Sequence, residues 1–328
     1  MGRRNGAKPT AHAGQQAQSA QQAGDLRRAR GFMVLNVLSQ SAANIIERAA
    51  LSLAAPVAVT SVEVWTTTTI SLVLRFAEAR RRPRADVGAT GSGSPVELWH
   101  FAAAGLLGQV IGSYGFLSAA RVGGIGFAVA IAQTWSLWAI ILGILALRER
   151  GSRRLVIGLP VAMVGIVLIS TQHQSFSDLF GSASSHVSSA IPWAILASLC
   201  WAGSSVLIRR GLSRGADSRT GFVVQYLTAS VFVAIRAFAD PAPLMALSLA
   251  RVALIASAGI LAGVLAMGFM YKALARCPIS RVMLINASYP AIVNILSWAI
   301  FGESITVRGI VGILLVTSSC MWTQADNN

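Results

Sequence analysis

The chain alternates between apolar runs of roughly twenty residues and short polar or basic clusters. A helix rises 1.5 Å per residue, so about 20 apolar residues cross the hydrocarbon core of a bilayer. Ten runs meet that length: Phe32–Leu51, Pro56–Arg75, Leu98–Ser118, Gly124–Leu147, Arg153–Thr171, Ala190–Ile208, Thr220–Ala237, Ala250–Tyr271, Ile279–Phe301 and Thr306–Trp322. The first, second and seventh are the most polar, with Glu47, Arg48, Glu63 and Arg236 in or near them. The pattern predicts an all-α integral membrane protein with ten transmembrane helices. Residues 1–30 read as a basic, Gln/Ala-rich tail, expected to be disordered. The next apolar run lacks a clear small-residue cleavage site and is expected to remain as an uncleaved first helix.

Composition narrows the class. Of 328 residues, 54% are hydrophobic and 12% charged, and mean hydropathy is +0.62. Soluble domains carry about 25% charged residues, so an ordinary soluble enzyme is excluded. The net charge of +15 does not mark a nucleic-acid binder, because the basic residues lie in short clusters between apolar runs without aromatic interleaving. Their placement sets the orientation instead. With the N-terminus in the cytoplasm, 22 of the 27 Lys and Arg fall on the inner side and five elsewhere. Both termini are therefore expected in the cytoplasm, with the chain multi-pass in the cell (inner or plasma) membrane. Cys200, Cys277 and Cys320 are isolated, and no metal spacing or cofactor motif is present, so neither metal nor cofactor is expected.

The two halves of the chain repeat. A shift of 154 residues brings Ala119, Ile125, Glu149, Arg154 and Gly158 onto Ala273, Ile279, Glu303, Arg308 and Gly312. Trp135 meets Tyr289, and Ser152 meets Thr306. Each half holds five runs, and an odd number places the second half upside down in the membrane. Inverted repeats of this kind are a recurrent plan of secondary transporters. The stretch Ala273 to Trp322, with Pro290 in its ninth run and Gly302-Glu303 at its end, resembles the EamA-type half-unit of the drug/metabolite transporter superfamily. Ala119 to Ser170 is similar to the same half-unit, and so is the sixth run, where Cys200 to Ser205 precedes Arg209 and Arg210. The resemblance implies two five-helix repeats, 31–171 and 190–323, an extracytoplasmic linker at 172–189 and a cytoplasmic end at 324–328. It also implies alternating access through a central cavity. Ser136 departs from the pattern, standing where Pro290 stands in the second half.

Polar side chains in a membrane helix are costly and face protein or water. In the first run Asn36, Gln40, Asn44 and Glu47 follow helical spacing and form one stripe. Gln40 and Asn44 are candidates to bind a polar solute, against the plain alternative of interhelical bonding. Glu47 and Glu63 are candidate proton carriers if their helices place them inside the bilayer. In the ninth run Asn286 and Asn294 share a face around Pro290, beside Tyr289. Proline frees a carbonyl one turn back, and in a membrane that carbonyl needs a partner or a wet cavity. Gln133, Trp135, Tyr114, Trp201 and Tyr271 complete the candidate substrate-binding set. Gly108-xxx-Gly112 and Gly259-xxx-Gly263 read as close-packing positions.

The leading functional expectation is a secondary transporter, in the export direction, of a small metabolite, amino acid or drug. No P-loop is present. A membrane enzyme is disfavoured because His12, His100, His173 and His186 lie outside the deep spans. A receptor or scaffold with the same fold is the alternative. The expected partners are a small-molecule solute and the lipid bilayer; a homodimer is compatible with the sequence. A tag placed after Asn328 is expected to be reachable only from the cytoplasmic side; labelling from outside intact cells overturns the ten-run topology.

Overall fold

In a computed structural model, the described residues are 11–51, 54–81, 95–123, 128, 131–149, 153–172, 184–302 and 304–324. All secondary structure among them is helical. In chain order the elements are α1 (Ala11–Leu51) and α2 (Pro56–Arg81), followed by α3, which runs through Pro95–Ala104, a π-helical stretch Gly105–Gly112, and Ser113–Gly123. Then come α4 (Trp135–Leu147), α5 (Arg153–Ser170), α6 (Ser184–Ser213) and α7 (Ser218–Ala239). A short turn of helix, Ala242–Met245, leads to α8, built from Leu249–Gly259, a second π-helical stretch Ile260–Met267, and Gly268–Leu274. The last two are α9, in two pieces Ile279–Asn286 and Tyr289–Phe301, and α10 (Val307–Gln324).

Among the described residues six helices are long and apolar enough to cross a membrane: Pro56–Glu78, Glu97–Val122, Ser189–Ser213, Ser218–Ala239, Leu249–Leu274 and Ile279–Ile300. Trp135–Leu147, Ile157–Ile169 and Val307–Ser319 are shorter apolar helices. The described residues thus account for six of the ten expected spans, and two of the remaining helices have local features that keep them from qualifying. The polar stripe of α1 lowers its hydropathy, and a turn at Gln133–Thr134 leaves the described α4 only 13 residues long. A second difference lies in the tail. Residues 11–30, expected to be disordered, are helical and continuous with α1. The segment is rich in Ala and Gln, strong to moderate helix formers, and holds no proline. Its Leu26 and Ala29 also pack into the main core. α6 likewise begins at Ser184, inside the expected linker.

Lipid tails are as apolar as Leu, so helices in a membrane associate through close packing and polar bonds rather than a hydrophobic drive. Glycines provide the close approaches here. A Cβ on Gly105 would meet the backbone carbonyl of Gln225 on α7, and one on Gly165 of α5 would come within 2.7 Å of the Gly312 carbonyl oxygen on α10. Gly259 and Gly263 set α8 against Glu63 and Thr67 of α2, while Gly108 and Gly112 set α3 against Ser204 and Trp201 of α6. At one end, α7 is capped by Asp217, whose carboxylate accepts from the Thr220 N–H at 3.0 Å and pairs with Arg75 of α2 at 3.2 Å. Partial burial pushes the Asp217 carboxyl up, but the bonds from Thr220 and the Arg75 charge outweigh it and hold it below the ordinary range. Gly105→Val is expected to destabilise the bundle by about 1–3 kcal/mol, because neither backbone can yield. Gly268→Ala, which meets nothing within 4 Å, is the neutral control. Thermal midpoints in detergent measure the difference.

Candidate functional site

The site starts from two broken helices. In α9 the break falls at Ala287–Ser288, where the Ser288 hydroxyl donates to the Ile285 carbonyl at 2.7 Å. Before α4 the turn falls at Gln133–Thr134, where the Thr134 hydroxyl donates to the Ile131 carbonyl at 2.7 Å. The two devices are 154 positions apart, the repeat distance. In each, a side-chain hydroxyl takes a carbonyl that a continuing helix would have used. α4 and α9 also end alike. Arg148 and Gly302, again 154 apart, adopt the left-handed conformation with φ of 54° and 67°.

The π-helical stretches of α3 and α8 are the second ingredient. A π turn frees carbonyls from the regular ladder, and neighbouring helices supply the donors. Trp201 Nε1 donates to the Gly108 carbonyl at 3.1 Å and Ser204 Oγ to that of Ala104 at 2.9 Å. Asn36 Nδ2 donates to the Ala266 carbonyl at 2.7 Å, and Thr67 Oγ1 to that of Gly259 at 3.1 Å.

Between these irregular segments lies a cavity of about 220 Å³. Its wall draws on α1 to α3 and the Gln133–Trp135 turn from the first half, and on α6 to α9 from the second. Of the residues expected to bind solute, Gln40, Asn44, Gln133, Trp135, Trp201, Asn286 and Tyr289 line it. Glu47 and Glu63 line it too. Asn44 Nδ2 donates to the Tyr289 hydroxyl, tying α1 to α9 across the cavity.

Three expected residues lie elsewhere. Tyr114 is 47% exposed, edge-on to Trp193 on the outside of the bundle. Tyr271 is buried in the core, donating to Gln225 Oε1 and packed against Phe101 and Phe222. Asn294 accepts from Gln172 Nε2 at the far end of α5. Tyr114 and Tyr271 follow the lining residues Ser113 and Met270 but face away from the cavity, and Asn294 lies more than a turn beyond Tyr289, a distinction that helical spacing alone does not make. Gln109, Ser113, Thr60, Ser204 and Tyr226 also line the wall and were not among the expected residues. Gln109 and Tyr226 carry the sign that marked the others, a polar or aromatic side chain inside an apolar span.

At one end of the bundle a clasp joins the two halves. Glu149, just after α4, accepts Arg209 Nε at 3.2 Å and the Ile279 backbone N–H at 2.9 Å. Arg209, at the end of α6, also donates to the Leu274 carbonyl at 2.6 Å. One ion pair thus joins the first half to the end of α8 and the start of α9. At the opposite end Gln172 accepts from the Thr306 N–H at 3.3 Å, and Arg308 donates to the Thr171 carbonyl at 3.1 Å.

A bundle of this kind, with irregular helices meeting around a shared polar cavity, has the architecture of a multi-pass membrane transporter. Residues 29–171 and 188–324 each match the EamA-like transporter family, and the chain belongs to it. That family consists of transporters rather than enzymes. No curated protein matches by sequence. A solved structure described only as a crystal structure of a protein is similar at a TM-score of 0.70 and 15% identity, covering 90% of this chain and 96% of its own. That likeness concerns the fold alone.

Glu149→Ala is expected to destabilise the protein by about 3 kcal/mol, since it strands the mostly buried Arg209 and uncaps α9. Glu149→Gln, which still accepts from Ile279, is expected to cost less. Equal thermal midpoints for the two variants remove the capping role.

Proposed function

We propose that the chain is a secondary transporter that exports a small organic metabolite, amino acid or drug across the cell membrane. In this reading ten helices form two inverted five-helix repeats, with both termini cytoplasmic, and the repeats rock about the central cavity. The observation that carries it is the cavity itself, shared by both halves and lined by the polar face of α1 and the broken part of α9. Discontinuous helices in corresponding halves are the local mark of a solute site near the bilayer midplane. The 22-to-5 distribution of basic residues supports the orientation. The Glu149–Arg209 clasp, at the basic end, supports a state in which that end is shut.

Coupling to protons is assigned to Glu63, with Glu47 as its neighbour across the cavity. Both are carboxyls inside the wall, and Glu63 Oε1 has no hydrogen-bond partner among the described residues. In proteoliposomes of purified protein, solute flux is expected to move protons in the opposite sense. Glu63→Gln is expected to abolish the linked acidification signal while the protein stays monodisperse. An unchanged signal removes Glu63 as the proton carrier.

A further inference from the structure

Three polar atoms in the cavity wall are buried without a partner among the described residues: Asn36 Oδ1, Gln133 Oε1 and Glu63 Oε1. All three are acceptors. Asn36 and Gln133 are 3% and 8% exposed, so both side chains sit within the wall. The orientation of Asn36 is fixed by its amide nitrogen, which donates to Ala266. A buried acceptor left unmade is costly, so the wall calls for donors from whatever fills it.

Charge points the same way. Among the described residues the lining holds two carboxyls, Glu47 and Glu63, and no Lys, Arg or His. The other titratable groups facing the cavity are the phenols of Tyr226 on α7 and Tyr289 on α9. α3, α6, α8 and the Gln133–Trp135 turn contribute none. A buried carboxylate with no opposite charge is unfavourable, so a proton or a cationic ligand must neutralise it. Trp135, Trp201 and Phe116 add aromatic faces, which attract cations and accept ring-bearing groups.

We propose that the cavity selects an organic cation rich in N–H donors, an amine or guanidinium on a ring-sized apolar body, over zwitterions and anions. This rests on the transport reading above and names its substrate class. Occupancy by the cation and by protons is then mutually exclusive at the carboxyl pair. With one carboxyl of the pair protonated and the other paired to the monovalent cation, release of the solute and uptake of one proton leave the wall neutral.

The test uses full-length protein and three probes with the same ring: benzylguanidinium, phenylalanine and phenylacetate. The guanidinium stays charged and keeps its donors throughout the range used, so any pH dependence belongs to the protein. Calorimetric titration in detergent reads binding, and proteoliposome uptake reads transport. Benzylguanidinium is expected to bind about tenfold more tightly than phenylalanine, with no binding of phenylacetate. Its affinity is expected to fall as pH drops from about 8.5 to about 5.5, because protons compete for the carboxyls. Glu63→Gln and Glu47→Gln are each expected to weaken it about tenfold, with the elution profile unchanged to show an intact fold. Flux of phenylalanine or phenylacetate without binding of the cation overturns the cation assignment and leaves the transporter standing. Cation binding without flux upholds the assignment and overturns transport. No binding and no flux of any probe overturns both, and cation affinity unaltered in both Gln variants overturns the carboxyl role.

Discussion

A backbone polar group in lipid has no water to turn to, and this constraint organises the whole molecule. Regular helix satisfies it without help. Every departure from regular helix therefore needs a named donor or acceptor, or a wet cavity. In this chain the departures are few and gathered together: the turn at Gln133–Thr134, the break at Ala287–Ser288 and the π-helical stretches of α3 and α8. The first two are met by hydroxyls of their own helix, and the π stretches by Asn36, Thr67, Trp201 and Ser204 from neighbouring helices. Asn36, one of the polar residues that make α1 too hydrophilic to count as a span, thus supplies a donor to the irregular part of α8. Polarity in one helix and irregularity in another are two sides of one arrangement.

The same reasoning separates the middle of the bundle from its ends. At the basic end Glu149 is committed twice, to Arg209 and to the first N–H of α9, and Arg209 donates to the Leu274 carbonyl at the end of α8. These partners sit at helix termini, where orphan amides and carbonyls are concentrated. A pair so placed does the work of two separate caps, and it spans both halves of the chain. Gly143 makes room for this by letting Ile279 approach α4. In the middle, by contrast, polar atoms remain uncommitted. The ends are finished by protein alone, and the centre is not.

Much of this was legible in the sequence, and what was not has a physical reason. The 154-residue repeat foreshadows the paired hydroxyl turns and the paired left-handed caps, because each depends on one or two residues at fixed spacing. The stripe Asn36, Gln40, Asn44, Glu47 foreshadows one wall of the cavity, because period 3.6 fixes a helix face. Pro290 drew attention to the break in α9, but the break before α4 lacks a proline and turns on Thr134, a residue common in ordinary helices. Tyr271 and Asn294 share the composition of true lining residues and differ only in depth and facing, which follow from packing. The helical extension of α1 to Ala11 was hidden because low hydropathy reads as disorder, whereas Ala-rich sequence next to an existing helix propagates without a new nucleus.

The character of the unfinished centre carries the last step. A cavity can be left polar in two ways: with spare donors, which suit anions, or with spare acceptors, which suit donors and cations. The amide oxygens of Asn36 and Gln133 are unpaired among the described residues, and the only charged side chains described in the wall are carboxyls. Among the described residues no Lys, Arg or His lines the cavity, and Arg209 and Arg75 are engaged in ion pairs outside it. Such one-sidedness does not arise from packing needs, since an apolar wall would pack as well at lower cost. It is explained by what enters: a solute that brings the positive charge and the N–H groups that the protein withholds.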